Sequence, residues 1–155
     1  MSVFPIEKLS FIFIDALKEI ISKMAGFSID ILSSEADSSF DEITGVMSLN
    51  GENHGMLFIS TKENAMRIIC SFMTGIPRDE ITKDDIEDAL CELVNMTAGS
   101  AKVRTNNMEQ MYTISPPFVI RGENMSIKTK KRIVIISKTL GNGEISVKLK
   151  VVFYT

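Results

Sequence analysis

DALCELVNMTAG, residues 88–99, nearly repeats an earlier stretch, DALKEIISKMAG at residues 15–26. Asp, Ala, Leu, Glu, Ala and Gly are identical at six of the twelve aligned positions, and two more are aliphatic in both copies. Unrelated segments would share roughly one position in twelve at ordinary residue usage. The copies lie 73 positions apart and differ at one telling place: the second has Asn95 where the first has Ser22. The repeat predicts two long helices in equivalent places, each followed by β material.

Working outward, Leu9, Phe13, Ala16, Leu17, Ile20, Ile21 and Met24 form a helical apolar stripe over residues 5–25, which Gly26 can close. Short β-type runs follow: SIDIL (28–32), ITGVMSL (43–49) and GMLFIS (55–60), with the turn NGENHG between the last two. A second helix is expected from Lys62 to Met73, with Ser60 and Glu63 as a capping box and Gly75 and Pro77 as its stop. The third helix has the strongest start signal. Thr82 and Asp85 complete a capping box, Ile81 and Ile86 suit the flanking staple, and the pattern runs to about Arg104. Beyond it the period changes to two in YTIS, FVIRG, RIVIISKTL and EISVKLKVVFY, and GNG (141–143) can join the last two as antiparallel strands. The order predicts an α+β fold, a pseudo-two-fold domain over residues 1–155 with an antiparallel sheet and two equivalent long helices.

With 155 residues, 45% hydrophobic and 24% charged, the chain reads as one ordinary globular domain. FIFI (11–14) and IVII (133–136) are too short to span a bilayer, and no signal peptide is expected. Cys70 and Cys91 stand alone, which fits a reducing cytoplasm and excludes a disulfide framework or zinc motif. His54, the single histidine, falls in a turn. The net charge of −3 argues against a general nucleic-acid binder. Charge is nonetheless uneven: residues 79–92 are strongly acidic, and KTKKR (128–132) reads as a basic solvated turn entering a strand, with a binding patch as the alternative.

At 100° per residue the third helix has two clear sides. Ile86, Ala89, Leu90, Leu93, Val94, Thr97 and Ala101 gather on one, facing the sheet. Asp88, Glu92, Asn95, Gly99 and Lys102 lie on the other, spaced by four, three, four and three. Amphipathic helices commonly present carboxylates and amides to water, and E-x-x-N alone often arises by chance. Stability does not explain this choice, however, because asparagine and glycine are both poor residues for a helix interior.

D-x-x-x-E-x-x-N followed by M-x-A-G-x-A-K resembles the signature of the CheC/CheX/FliY family of chemotaxis phosphatases. Here the residues are Asp88, Glu92 and Asn95, then Met96, Ala98, Gly99, Ala101 and Lys102, with Pro117 at the downstream position where that pattern carries a proline. Family members of CheC type carry two such sites and those of CheX type one, on the later helix. Ser22 breaks the first copy, so the sequence looks CheX-like.

The resemblance implies hydrolysis of the aspartyl phosphate on a CheY-type response regulator. An acyl phosphate is already activated, so the remaining need is a water held in line with phosphorus. The resemblance assigns that task to Asn95, whose amide offers both a donor and an acceptor. It assigns Glu92 to the receiver's active-site lysine, with Asp88, Gly99 and Lys102 as partner-contacting positions. It implies no cofactor of the protein's own: the receiver domain binds the Mg²⁺. A homodimer is also implied, and EISVKLKVVFYT could pair across a sheet edge, although its alternation also permits a strand buried within one subunit. The alternative left open is a non-catalytic module of the same fold, receiver-binding or flagellar-switch-like.

Overall fold

Thr82 begins the helix that organises the molecule. Its Oγ1 accepts from the Asp85 N–H at 3.1 Å while Asp85 Oδ2 accepts from the Thr82 N–H at 2.9 Å. This reciprocal cap starts a 22-residue helix, Lys83–Arg104, with Ile81 and Ile86 both buried beside it. The computed structural model describes residues 6–34, 39–51, 54–105, 112–128 and 133–154. In chain order these form α1 (Ile6–Ala25), β1 (Asp30–Ser34), β2 (Ile43–Asn50), β3 (Gly55–Thr61) and α2 (Glu63–Thr74). A 3-10 turn (Arg78–Glu80) leads to α3 (Lys83–Arg104), then β4 (Thr113–Ile114), β5 (Phe118–Arg121), β6 (Ile133–Gly141) and β7 (Ser146–Tyr154).

The strands make one antiparallel sheet in the order β1-β6-β7-β3-β2-β4, with β5 also on β2. That order is itself two-fold. With β4 and β5, which share β2 as neighbour, counted as one interrupted strand, the order runs from either edge from the first strand of one half to the second and third strands of the other, and the β3–β7 pair lies at the centre. The repeated helices α1 and α3 therefore pack on the sheet as equivalents, together with α2, as the repeat predicts.

The core lies between helices and sheet, with Phe13, Leu17 and Ile21 of α1 and Leu90, Leu93 and Val94 of α3 over Ile43, Met47, Leu57, Ile59, Leu149 and Val151. Alternate residues of the same strands, Val46, Phe58 and Val152, join Phe40 in a smaller cluster on the other face. At Gly45 the helix comes very close: a Cβ there would lie 2.5 Å from Val94 Cγ2 and 3.1 Å from Leu90 Cγ.

Four local expectations are corrected. Ser60 does not cap α2. Its hydroxyl lies in the sheet, accepting from Thr44 Oγ1 at 2.9 Å and from the Asp41 N–H at 2.8 Å, and the Glu42 carboxylate accepts from the Glu63 N–H instead. The first strand begins at Asp30 rather than at residue 28. YTIS yields only the two-residue β4, because Pro116 and Pro117 carry no N–H to extend the ladder before β5 resumes it on the same neighbour. The terminal strand β7 is bonded on both sides, by β3 and β6, so it offers no free edge to a second copy. Residues 129–132 of the basic turn and residues 52 and 53 of NGENHG lie outside the described residues.

Candidate functional site

The two sides of α3 separate as their spacing requires. Ile86, Ala89, Leu90, Leu93, Val94, Thr97 and Ala101 are all buried, and Ala98 joins them. Asp88, Glu92 and Asn95 are exposed, while Gly99 and Lys102 are half-buried on the same side. Glu92 and Asn95 stand three residues apart, so their Cβ atoms are roughly 5–6 Å from each other. Neither side chain makes a hydrogen bond or ion pair among the described residues, and the same is true of the Asp88 carboxylate. The five candidate residues thus form one continuous stripe.

Glu92 and Asp88 also line a cleft of about 380 Å³ with Asp85 and Ala89, closed by Met24 from α1 and by Met73 and Thr74 from α2. The next acid along, Glu87, is not free. Arg121 of β5 donates to it at 2.8 Å and to Glu63 of α2 at 3.1 Å, fastening α3 to its neighbours from the side. Cys91, half-buried between these positions, has its thiol pKa pushed up by burial and then by the Asp88 and Glu87 carboxylates, so it stays an unreactive thiol.

The first copy of the repeat has a different fate. Asp15 and Ser22 are exposed on α1, but Glu19 is held by Lys23 at 2.8 Å and by the Arg104 guanidinium. Two contrasts explain this: Lys23 stands one turn beyond Glu19 where Met96 stands beyond Glu92, and the two helices end differently. Gly26 and Gly99 are equivalent positions, yet Gly26 adopts φ +74° and ends α1, whereas Gly99 keeps helical backbone and α3 continues to Arg104. The extra turn and a half delivers Arg104 to Glu19. Because α1 stops at its glycine, no corresponding helical turn reaches Glu92. The second-copy carboxylate therefore remains available.

Among the described residues nothing calls for glycine at position 99: a Cβ there would meet none of their atoms within 4 Å. A helical glycine costs about 1 kcal/mol relative to alanine. One supporting residue escaped the sequence reading. Tyr112 is buried, stacks on Phe13 and donates its hydroxyl to the Ala98 carbonyl at 3.2 Å, one turn beyond Asn95. Its only sequence signal was membership of the run YTIS, which did not reveal a side chain turned under α3.

His54 is exposed, and its carbonyl accepts from the Tyr154 N–H at 2.8 Å. Among the described residues no cluster of three or more His, Cys, Asp or Glu could hold a metal ion, and no helix is long and apolar enough to cross a membrane. The chemistry on offer is an exposed amide beside an exposed carboxylate on a rigid helix, suited to a substrate that another molecule presents.

Comparisons with known proteins bear on the same region. The family profile described as "Chemotaxis phosphatase CheX" matches residues 43–138, more than half of the chain. A curated relative, "CheY-P phosphatase CheX" of Thermotoga maritima, is 28% identical over 85 residues, 54% of this chain and 54% of the relative. The match thus spans about half of that relative's length. The crystal structure of chemotaxis protein CheX from Vibrio vulnificus is similar with a TM-score of 0.83 at 19% identity, covering 94% of this chain and 99% of that one. The CheX–CheY–BeF3–Mg²⁺ complex from Borrelia burgdorferi includes a chain similar at TM-score 0.71 and 20% identity, with 93% and 96% covered. At these identities the solved structures establish the fold.

Proposed function

The chain belongs to the CheX family of chemotaxis phosphatases, and on that premise we propose that it hydrolyses the aspartyl phosphate of a CheY-type response regulator. The reaction takes place on the exposed stripe of α3. One water attacks phosphorus, the bond from phosphorus to the aspartyl oxygen breaks, and the products are inorganic phosphate, the free aspartate carboxylate and a proton. Asn95 orients the water, its carbonyl oxygen accepting from it and its amino group free to donate to the phosphoryl oxygens. Glu92 bonds the receiver's lysine and fixes the docked geometry through a charge-assisted contact. Asp88 reinforces the negative end of the stripe, and Lys102 borders the far end.

The observation that carries this reading is the asymmetry of the repeat. Glu19 is neutralised by two cations, while Glu92 and Asn95 stand exposed and uncommitted beside a cleft. Mg²⁺ belongs to the receiver in this reading, in keeping with the Mg²⁺ in the Borrelia burgdorferi complex. The protein contributes water placement and docking, in the cytoplasm, from one domain spanning residues 1–155. The test is phosphate release from CheY-type receivers with Mg²⁺ and catalytic amounts of protein. Faster loss of the aspartyl phosphate supports the reading. Binding without faster loss replaces it with the non-catalytic receiver-binding module.

A homodimer forms part of the same reading, but β7 is not its seam. The sheet edges are β1 on one side and β4 with β5 on the other. Light scattering over a dilution series decides this: a dimer mass supports self-association, and monomer mass throughout removes it.

A further inference from the structure

The exposed stripe of α3 changes character along its length. Its first half is acidic, with Asp85, Asp88 and Glu92. Past Asn95 come Gly99 and, one turn on, Val103. Gly99 has ordinary helical backbone and open space where a Cβ would stand. Val103 is 74% exposed, more than any other large hydrophobic side chain among the described residues. A β-branched apolar residue is a poor choice for an exposed helix position, both for the helix and for its hydration. Val103 also lies outside the repeat, so a duplicated ancestry does not account for it. Two positions one turn apart thus each disfavour the free protein.

Together they leave a recess in the side-chain cover of α3, a notch where Gly99 has no side chain. The helix backbone there is open to another molecule, with the exposed Val103 four residues beyond it and Met96, half-buried and packed against the core, three residues before it. We propose that this recess seats an apolar side chain of the receiver domain, one turn beyond the water-positioning amide. The inference rests on the receiver-phosphatase reading and adds a second docking contact to it. Acid at one end and an apolar notch at the other give the stripe a direction. A receiver docked the wrong way round would set its apolar group over the carboxylates and its lysine over Val103, so only one orientation brings the phosphoryl group to Asn95.

The experiment titrates a CheY-type receiver, activated with beryllofluoride and Mg²⁺, against the full-length protein and its Gly99→Ala and Val103→Ala variants, with thermal melts of each. Gly99→Ala should melt at or above the wild-type temperature, since its Cβ meets nothing and alanine favours the helix. It should nevertheless bind the activated receiver roughly tenfold more weakly, and Val103→Ala roughly fivefold more weakly. Wild-type binding by both variants, alongside weakened binding of Glu92→Ala, would overturn the recess and leave the receiver reading standing. Failure of the wild-type protein to bind any activated receiver would overturn both. Should Gly99→Ala fold poorly, Val103→Ala decides alone, because that exposed truncation leaves the core untouched.

Discussion

Glu19 on α1 and Arg104 on α3 form an ion pair across eighty-five positions of chain, and Lys23 holds the same carboxylate from the next turn of α1. The acid that corresponds to Glu92 is therefore occupied in joining the two repeated helices. Replacing Glu19 and Ser22 with alanine should leave phosphatase turnover within about twofold, since exposed substitutions typically cost less than ~0.5 kcal/mol. Ser22→Asn should add no second activity, because Glu19 stays engaged. A large change in turnover from either variant, in folded protein, would mean that α1 carries a working site.

The same pair makes a small contribution to acid stability with a definite sign. The Lys23 hydrogen bond lowers the Glu19 pKa from 4.5, desolvation opposes the shift, and Arg104 adds to the lowering. The folded value lies below the unfolded one. The contribution is thus present above about pH 4.5 and fades as pH falls through the folded value. Unfolding titrations of wild type and Glu19→Gln should show wild type the more stable near neutrality, with the two converging on acidification. A gap that widens towards acid would reverse the assignment.

Much of this was legible in the residues, and the misses have physical reasons. The repeat announced two equivalent helices, and the 3.6-residue spacing of α3 separated its buried residues from the exposed Asp88, Glu92 and Asn95, with Gly99 and Lys102 half-buried on the same side. Local chemistry also placed the Thr82–Asp85 cap. What local pattern does not carry is the identity of long-range partners. Ser60 looked like a cap but bonds across the sheet to Thr44 and Asp41, and the cap at α2 comes from Glu42, far back in the chain. Alternation marks a strand without giving its neighbours, so β7 was open to reading as an edge when it lies inside the sheet. The acid–amide pair was visible as a motif. Lys23, where the second copy has Met96, was legible as a partner for Glu19, whereas the Arg104 contact depends on where the two helices end, which only the fold displays.

Gly45 sets how closely β2 approaches the helix that carries the site. An added Cβ would lie 2.5 Å from Val94 Cγ2, and valine has little rotamer freedom with which to yield. Gly45→Ala should destabilise the protein by about 1–3 kcal/mol, with turnover falling as α3 is displaced. Chemical denaturation measures the first quantity. An unchanged midpoint would show that the helix can shift freely over the sheet.

Removing the Thr82 cap tests the fold without touching the chemistry. Thr82→Ala abolishes the bond to the Asp85 N–H and should cost about 1 kcal/mol, because that helix-end donor loses its partner while the bond from the residue-82 N–H to Asp85 Oδ2 remains. Asn95 lies more than three turns away, so turnover of the folded variant should match wild type. Equal stability of the two proteins would mean that water replaces the cap at no cost.

Single-turnover dephosphorylation of the receiver by Asn95→Ala isolates the water-orienting role of Asn95, read beside that variant's affinity for the beryllofluoride-activated receiver. A residue that orients the attacking water acts chiefly in the transition state. Loss of one such group commonly lowers the rate on the order of 10²-fold. The enzyme-dependent rate should therefore fall by about that factor, with near-normal affinity and an unchanged melting temperature, because Asn95 is exposed opposite the buried side of α3. Glu92→Ala should instead show its loss in affinity and salt dependence. Wild-type hydrolysis by a folded Asn95→Ala protein would contradict the account and leave the stripe of α3 as a docking surface without chemistry.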